Sequence, residues 1–231
     1  MIKVSTVNII KDLIENWIIN LNITSVEVIG DTYKLITCNT YYFTELSTII
    51  LNEVEYTITS FVNNEYLIIT GDSLPIAGIY QLPSPYFVHG TIIQANEELT
   101  MESDCFKKTP MVFLRRPFSE TFNNSQQADD RNADIILYFL TQADFASWQI
   151  DEYDNRAINP MRNLVNEFIE MLNKNTQINK AQISDYRIEE KIKFGVYVNE
   201  KGYEQSVFND TLSGVMLSLN LPIRKNYTCT C

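Results

Sequence analysis

Alternating apolar residues and one periodic helical stripe dominate the segment 109–224. This segment contains two strand-like runs, an amphipathic helix and a closing two-strand hairpin. In the hairpin, every second residue is apolar, which buries one face of each strand and leaves the other in water. The apolar residues are Ile192, Phe194, Val196 and Val198 in the first strand and Val215, Leu217, Leu219, Leu221 and Ile223 in the second. The pattern predicts an α+β fold, with helices packed on a mixed or antiparallel sheet.

Two strands and a helix are predicted upstream of the hairpin. Residues 111–114 form a short apolar run that predicts a buried strand, and residues 133–141 are apolar on both faces, which predicts cover on both sides. Asn159 and Pro160 suit the cap and the first turn of a helix, so we expect a helix to begin there. Its predicted buried stripe comprises Met161, Leu164, Val165, Phe168, Ile169, Met171 and Leu172.

The N-terminal third combines one helix with a set of short strands. Ser5 or Thr6 can cap an amphipathic helix. Apolar residues recur in it at helical spacing: Ile9, Ile10, Leu13, Ile14, Trp17, Ile18 and Leu21. From residue 25 to 83, alternating runs of Val, Ile, Tyr and Thr are separated by turn signals at Gly30-Asp31, Asn63-Asn64 and Gly71-Asp72. These runs predict a small antiparallel sheet or barrel of about five strands.

Proline residues mark a change of character near residue 83. Pro75, Pro83 and Pro85 interrupt regular structure, because proline fixes its own backbone and lacks the N–H that a strand ladder uses. We therefore expect an α+β domain over 1–24 and 84–231 and an inserted β-rich module over 25–83. Within the larger domain, residues 86–98 are expected to be extended. The polar segment 119–132 is expected to be a mobile loop or arm.

The chain is acidic, with a formal net charge of −11. Residues 1–100 carry 11 acidic and 3 basic side chains, a net charge of −8, and residues 101–231 carry 18 and 15, a net charge of −3. This charge argues against sequence-specific DNA binding, because affinity for nucleic acid comes mainly from Lys and Arg. No apolar run reaches the roughly 18 residues of a membrane span, so none is expected.

The titratable residues form no recognisable catalytic, cofactor or metal motif, and none of these functions is expected. His89 is the only histidine, so histidine-based zinc sites are excluded, and Cys229 and Cys231 could contribute at most two soft ligands. Acidic pairs such as Glu97-Glu98 lack the spacing of a calcium loop and are interpreted as solvated charges. A basic and aromatic cluster instead suggests a protein interface, with a phosphate contact as the alternative. The candidate interface residues are Arg115, Arg116, Phe118, Phe122 and Arg131.

The order of predicted elements resembles the tail-terminator and tail-completion proteins of tailed bacteriophages. That order is a helix, strands, the run Pro-Met-Val-Phe-Leu-Arg-Arg-Pro-Phe at 110–118, a strand at 135–140, a helix at 160–172 and a hairpin at 192–223. Asn159-Pro160-Met161 and Leu212-Ser213-Gly214-Val215 contribute to the resemblance. The module at 25–83 departs from the family pattern as an insertion. The inserted module and a composition rich in Asn and Ile resemble those of neck and tail ring proteins of crAss-like phages.

The resemblance implies a head-tail connector or tail-terminator protein without catalysis or cofactor. Such a protein would form a ring of roughly six or twelve copies and join the portal or a neighbouring neck or tail ring. Double-stranded DNA would pass through the ring non-specifically, and the protein would belong to the virion after assembly in the host cytoplasm. Two alternatives stay open on the residues alone. One is a soluble, non-catalytic protein-binding module that uses the small β barrel, and the other is an enzyme of unrecognised type.

Overall fold

The structure is a computed structural model that describes residues 5–38, 40, 43, 48–62, 64–101, 108–122, 129–179, 183 and 185–224. Strands make up 49% of the described residues, and helices pack on the sheets, so the predicted α+β class is confirmed. Two six-stranded sheets and a small two-stranded ribbon account for the described strands. None of the described helices is long and apolar enough to cross a membrane.

Sheet 1 is formed by residues 19–82 and is antiparallel throughout. Its strand order is β3-β4-β5-β2-β1-β6. The strands are β1 (Ile19–Ile29), β2 (Thr32–Thr37), β3 (Thr48–Leu51), β4 (Val54–Val62), β5 (Tyr66–Thr70) and β6 (Gly78–Leu82). No backbone ladder joins β3 to β6 among the described residues, but the Asn52 side chain just after β3 donates a 3.4 Å hydrogen bond to the Tyr80 hydroxyl on β6, so the two end strands approach each other. The first strand begins inside the segment 1–24 that was assigned to the larger predicted domain.

Turns and bulges shape sheet 1. Gly30 has a φ of 60° in the predicted Gly30-Asp31 turn between β1 and β2, a conformation that suits glycine. Of the predicted Asn63-Asn64 turn, Asn63 lies outside the described residues, while Asn64 has a φ of 60° between β4 and β5. Register shifts mark one bulge in β1, at Thr24, and one in β4, at Thr59. Each threonine hydroxyl donates a 3.1 Å hydrogen bond to a carbonyl of the adjacent strand.

The first helix, α1 (Thr6–Glu15), is shorter than predicted. Ser5 caps it, with its Oγ accepting a 3.1 Å hydrogen bond from the Asn8 amide. Trp17 follows the helix and packs against Phe168 with ring centroids 6.0 Å apart. Leu21, which was assigned to the helical stripe, belongs to β1. The prediction failed there because residues 14, 17, 18 and 21 fit a helical period while residues 19, 21 and 23 also fit a strand.

Sheet 2 contains the C-terminal elements and is mixed. Its strands are β7 (Tyr86–Gly90), β8 (Met111–Arg115), β9 (Ser119–Phe122), β10 (Asp129–Gln142), β11 (Tyr186–Phe194) and β14 (Leu212–Arg224). The strand order is β11-β14-β10-β8-β7, and β9 pairs with the outer end of β10. Only β7 and β8 are parallel, and helix α2 (Ile92–Met101) connects them.

Helix α2 corrects the expected extended conformation beyond residue 91. Thr91 and Gln94 form a reciprocal cap, in which the Gln94 amide donates to Thr91 Oγ1 at 3.3 Å and the Thr91 amide donates to Gln94 Oε1 at 3.0 Å. This arrangement is the capping box that Thr or Ser followed by Gln or Glu three residues later allows. Ile92 and Ile93 also suit a strand, and the Thr91–Gln94 capping box is the feature that makes them the start of a helix.

The expected mobile arm at 119–132 is also corrected at both ends. Residues 119–122 are β9 and residues 129–132 begin β10, with Phe122 opposite Arg131 in the antiparallel register. Residues 123–128 lie outside the described residues. Pairing satisfies the backbone of these polar residues without requiring them to bury their side chains.

The long helix starts ten residues before its predicted start, at Ile150 and not at Pro160. Helix α3 (Ile150–Tyr153) runs through a π-helical turn (Asp154–Ile158) into helix α4 (Asn159–Lys174). Gln149 and Glu152 form a capping box at the true start. The Asn159 amide bonds to the Asp154 carbonyl, so the π turn lies directly before Pro160, which cannot donate. The predicted stripe is buried except at Met171, which is partly buried.

The closing hairpin is divided into two structures. β11 pairs with β14 and ends at Phe194, whereas β12 (Val196–Val198) pairs with β13 (Glu204–Ser206) as a separate ribbon. Lys193 and Gly195 have φ angles of 55° and 77°, which break the alternation between the two pieces. The Phe208 ring covers Gly195, where a Cβ atom would lie 2.5 Å from the ring.

Both faces of sheet 2 are covered over much of its length, as predicted for β10. One continuous apolar cluster joins α1, the inner face of sheet 1, α4 and one face of sheet 2. A second cluster lies on the opposite face of sheet 2 and includes residues of α2 together with Phe194 and Phe208. Phe139 belongs to the first cluster and Tyr138 to the second. The strand is therefore apolar on both sides because it separates two cores.

Candidate interaction surface

The structure places three of the five predicted interface residues where β8 ends. Arg115 and Arg116 are exposed, and Phe118 is half-buried against the main core. The Arg116 guanidinium carbon lies 5.9 Å from the centroid of the Phe118 ring, within range of a cation–π contact. These side chains form a small basic and aromatic surface, in agreement with the clustering seen in the sequence.

Arg131 is placed differently from the predicted surface position. Its side chain is buried within the chain, with Nε 2.9 Å from Glu120 Oε1 and 3.3 Å from Thr6 Oγ1. Thr6 also donates a hydrogen bond to Glu120, so this network ties the start of α1 to β9 and β10. Phe122 is half exposed, and its ring centroid lies 5.8 Å from the Arg131 guanidinium carbon. Arg131 therefore connects elements of the same subunit.

The other titratable residues of the described part of the chain form ion pairs but no cluster that could hold a metal ion. His89 is exposed on β7 and its ring lies 5.9 Å from that of Phe87. Among the described residues, no three His, Cys, Asp or Glu side chains are grouped in a way that could hold a metal ion. Cys38 is exposed, while Cys105, Cys229 and Cys231 lie outside the described residues.

A shallow groove of about 630 Å³ lies on sheet 2 beside Phe118. Its carboxylate Asp134 accepts hydrogen bonds from Asn220 at 2.7 Å and from Ser119 at 3.1 Å. Next to it on the same sheet, Lys191 donates a 2.9 Å hydrogen bond to Glu189 and thereby lowers the pKa of that carboxyl group. The groove thus presents carboxylates that are already hydrogen-bonded, an arrangement suited to a wet surface.

Exposed apolar side chains are spread over the surface, as at Val28, Met101 and Ile150, and two further places lie on elements with unpaired strand edges among the described residues. One is the ribbon, where Tyr197, Val198 and Tyr203 are 50%, 65% and 69% exposed. The ribbon is anchored at its base by the Val207 amide, which donates to the Gly195 carbonyl at 3.0 Å. Isolated two-stranded hairpins are marginally stable in water, so a ribbon with apolar residues facing solvent is suited to contact with another surface.

The second place is the pair of edge strands of sheet 1. Ile50 in β3 is 64% exposed and Ile79 in β6 is 73% exposed, although each strand also contributes buried residues to the core. Neither strand contains a charged residue. The β11 edge of sheet 2 differs, because it carries five charges: Arg187, Glu189, Glu190, Lys191 and Lys193. Charge is a common protection of sheet edges, and sheet 1 lacks it.

No protein-family model, curated protein or solved structure matches this chain.

The sheet edges were missed by the sequence reasoning, although a signal was present. No Asp, Glu, Lys or Arg occurs from Ser73 to Asn96 in a chain in which 20% of the residues are charged. This uncharged stretch includes β6 and the exposed residues Leu74 and Ile76 beside it. Leu82, Val88 and Ala95 of this stretch are buried, so only its exposed part, at Leu74, Ile76 and Ile79, presents an apolar surface suited to contact.

Proposed function

We propose that this protein is a structural subunit of a ring in the neck or tail of a tailed bacteriophage. In this role it joins the portal to the tail around the DNA channel and performs no chemistry. The observation that carries the proposal is the exposure of apolar side chains on the anchored ribbon and on the end strands of sheet 1. The phage assignment itself is supported by the order of elements along the chain.

Ring assembly requires heterologous contacts, in which one surface of a subunit meets a different surface of the next. The end strands of sheet 1, each without a ladder partner on one side among the described residues, and the ribbon supply candidate surfaces for such contacts. The Arg116–Phe118 surface fits a contact with a neighbouring ring, because Arg and aromatic residues are the usual anchors of protein interfaces.

The net charge of −11 supports passage of DNA through the ring. Repeated around a channel, this charge repels the phosphate backbone, so a genome slides past without adhering. A channel lined mainly by Lys and Arg in an assembled ring contradicts this part of the proposal.

Native mass spectrometry of the purified chain tests the proposal. The expected result is a closed oligomer with one dominant stoichiometry, and electron microscopy should show a ring with a central channel. Proteomic detection of the chain in purified phage particles supports the virion assignment. A chain that stays monomeric and captures a defined non-virion protein refutes the ring and favours the alternative of a soluble binding module.

A further inference from the structure

The basic surface at the end of β8 carries two arginines that have no acidic partner in the described part of the chain. Arg115 and Arg116 are exposed and form no ion pair there, whereas ten other described Lys and Arg side chains do. We infer that this arginine pair binds carboxylates of another copy of this chain. The partner surface is the acidic end of sheet 1, formed by Asp31, Glu53 and Asp72. This inference rests on the proposed self-assembly and names two surfaces that meet in it.

The arginine pair is attached to a rigid part of the fold. Residues 111–114 of β8 are fully buried and contribute to both apolar clusters. The Arg116 amide donates a 2.7 Å hydrogen bond to the Gly90 carbonyl, and its guanidinium carbon lies 5.9 Å from the centroid of the Phe118 ring. A guanidinium group on a fixed backbone loses less conformational freedom when it binds a carboxylate. The surface is therefore suited to binding a planar anionic group.

The acidic end gathers three exposed carboxylates at one end of sheet 1. Asp31 lies in the turn between β1 and β2, Glu53 lies in the turn between β3 and β4, and Asp72 follows β5. The antiparallel registers place all three at the same end, because β2 and β4 both begin close to where β5 ends. The five strands involved are neighbours in the sheet, so this end is about 20 Å wide.

The acidic end has no cation of its own to neutralise it. Residues 19–82 contain seven acidic residues and one lysine, a net charge of −6. That lysine, Lys34, lies 3.4 Å from Glu27 and is paired within sheet 1. None of the three carboxylates of the acidic end forms an ion pair with a described Lys or Arg side chain.

Charge complementarity makes a second copy the partner of the arginine pair. The same chain carries unpaired arginines on one surface and unpaired carboxylates on another, and the two surfaces form no ion pair within one subunit. Between two copies they can meet, and opposite potentials then select this contact over others on subunits that repel each other overall. A contact between two unlike surfaces is the heterologous kind that a ring requires.

Reversing the charge of each surface tests the inference. The double variants Arg115→Glu/Arg116→Glu and Asp31→Lys/Asp72→Lys alter only exposed side chains, so each subunit should fold normally, as circular dichroism can confirm. Each double variant should weaken self-association by on the order of a hundredfold, measured by sedimentation or mass photometry, because repulsion replaces attraction at the contact.

Two control variants change the charge by similar amounts elsewhere on the surface. Lys201→Glu alters another exposed lysine without an ion pair in the described part of the chain, and Glu97→Lys/Glu98→Lys alters two exposed carboxylates on α2. Both controls should associate like the unchanged protein. If they lose association to the same extent as the test variants, net charge governs assembly and the inference is overturned.

An equal mixture of the two test variants identifies the contact. Each variant alone presents like charges at the contact and should be monomeric. In the mixture, the intact acidic end of one variant meets the intact arginines of the other, and the introduced lysines meet the introduced glutamates. Association should therefore return to within about tenfold of that of the unchanged protein. A mixture that stays monomeric overturns the inference.

The dependence of assembly on salt gives a second readout on the unchanged protein. Raising NaCl from about 50 to about 500 mM should weaken self-association, because salt screens exposed ion pairs. Subunits of net charge −11 that met only through apolar surfaces would associate more strongly as salt screens their repulsion, and that result contradicts the arginine contact.

The remaining outcomes separate this inference from the proposed ring. Rings that form equally well from both test variants overturn the charge contact and leave the ring in place. An unchanged protein that is monomeric at high micromolar concentration overturns the ring and the charge contact together.

Discussion

Replacing Asp210 with Asn should destabilise the protein by about 3 kcal/mol, because Asp210 is the anionic partner of a buried ammonium group. The Lys108 side chain is only 5% exposed, and its Nζ lies 3.5 Å from Asp210 Oδ2. It also donates a hydrogen bond to the carbonyl of Leu99 in the last turn of α2. The pair therefore connects the end of α2 to the segment that leads into β14.

The magnitude follows from the unequal burial of the two partners. Removing one partner of a buried ion pair typically costs about 3 to 5 kcal/mol, and the low end applies here because Asp210 is 27% exposed. The cavity beside the pair measures about 10 Å³, which is too small to admit a well-hydrated ammonium group. Lys108→Met removes the buried charge itself and leaves a carboxylate that solvent can reach, so its cost should be about 1 kcal/mol.

Urea unfolding of Asp210→Asn, Lys108→Met and the double variant at pH 7 measures this difference. The double variant should resemble Lys108→Met, which gives a coupling energy of about 3 kcal/mol between the two positions. Glu204→Gln is the control, since its partner Lys193 lies at 3.2 Å in an exposed pair, and its cost should stay below about 1 kcal/mol. If Asp210→Asn costs no more than Lys108→Met, the assignment of the buried charge to Lys108 is wrong.

Three further predictions concern single positions. Gly214→Ala should lower the free energy of unfolding, measured in urea, by about 3 kcal/mol or more, because a Cβ atom there would lie 2.0 Å from the Phe139 carbonyl oxygen. Gly78→Ala is the control and should change it by less than about 1 kcal/mol, since the atom nearest to its Cβ would be at 3.7 Å. Gly195→Ala should release the ribbon, seen as faster proteolysis at 196–206, while the core stays protected; equal loss of protection everywhere contradicts this. Hydrogen bonds from Ser147 and Ala146 lower the pKa of Asp144, so the turn at 144–147 that they hold should be ordered above about pH 4 and lose this order as the pH falls below it. NMR titration of the Ser147 amide should show the transition, and Asp144→Asn should abolish it.

The strongly periodic elements could be predicted from the sequence because each has one physical solution. The stripe of α4 and the two-sided burial of β10 are set by side-chain period, and the structure contains both. The residues at which helices and strands begin and end were harder to predict, since they depend on hydrogen bonds that more than one sequence pattern permits. Asn159 and Pro160 look like a helix start, yet a π turn lets the helix continue through them. Gly195 likewise interrupts the strand, although the alternation of apolar residues continues through it in the amino-acid sequence.

The candidate surface was only partly predictable, because exposure depends on which elements cover which faces. Arg131 and Arg116 were both predicted at the interface, but the pairing of β9 with β10 buries Arg131 beside Thr6, whereas Arg116 is exposed. The end strands of sheet 1 follow from the strand order, in which β1 lies between β2, the next strand in the sequence, and β6, which comes about 50 residues later. Local periodicity carries no information about that order.

The bulges at Thr24 and Thr59 have a consequence for the curvature of sheet 1. A bulge bends its strand and increases local twist, and the two bulges lie in β1 and β4, on either side of the β5–β2 pair. Curvature at both places is consistent with the hydrogen bond from Asn52, beyond β3, to Tyr80 on β6. Deleting either threonine should flatten the sheet and open its apolar interior to water.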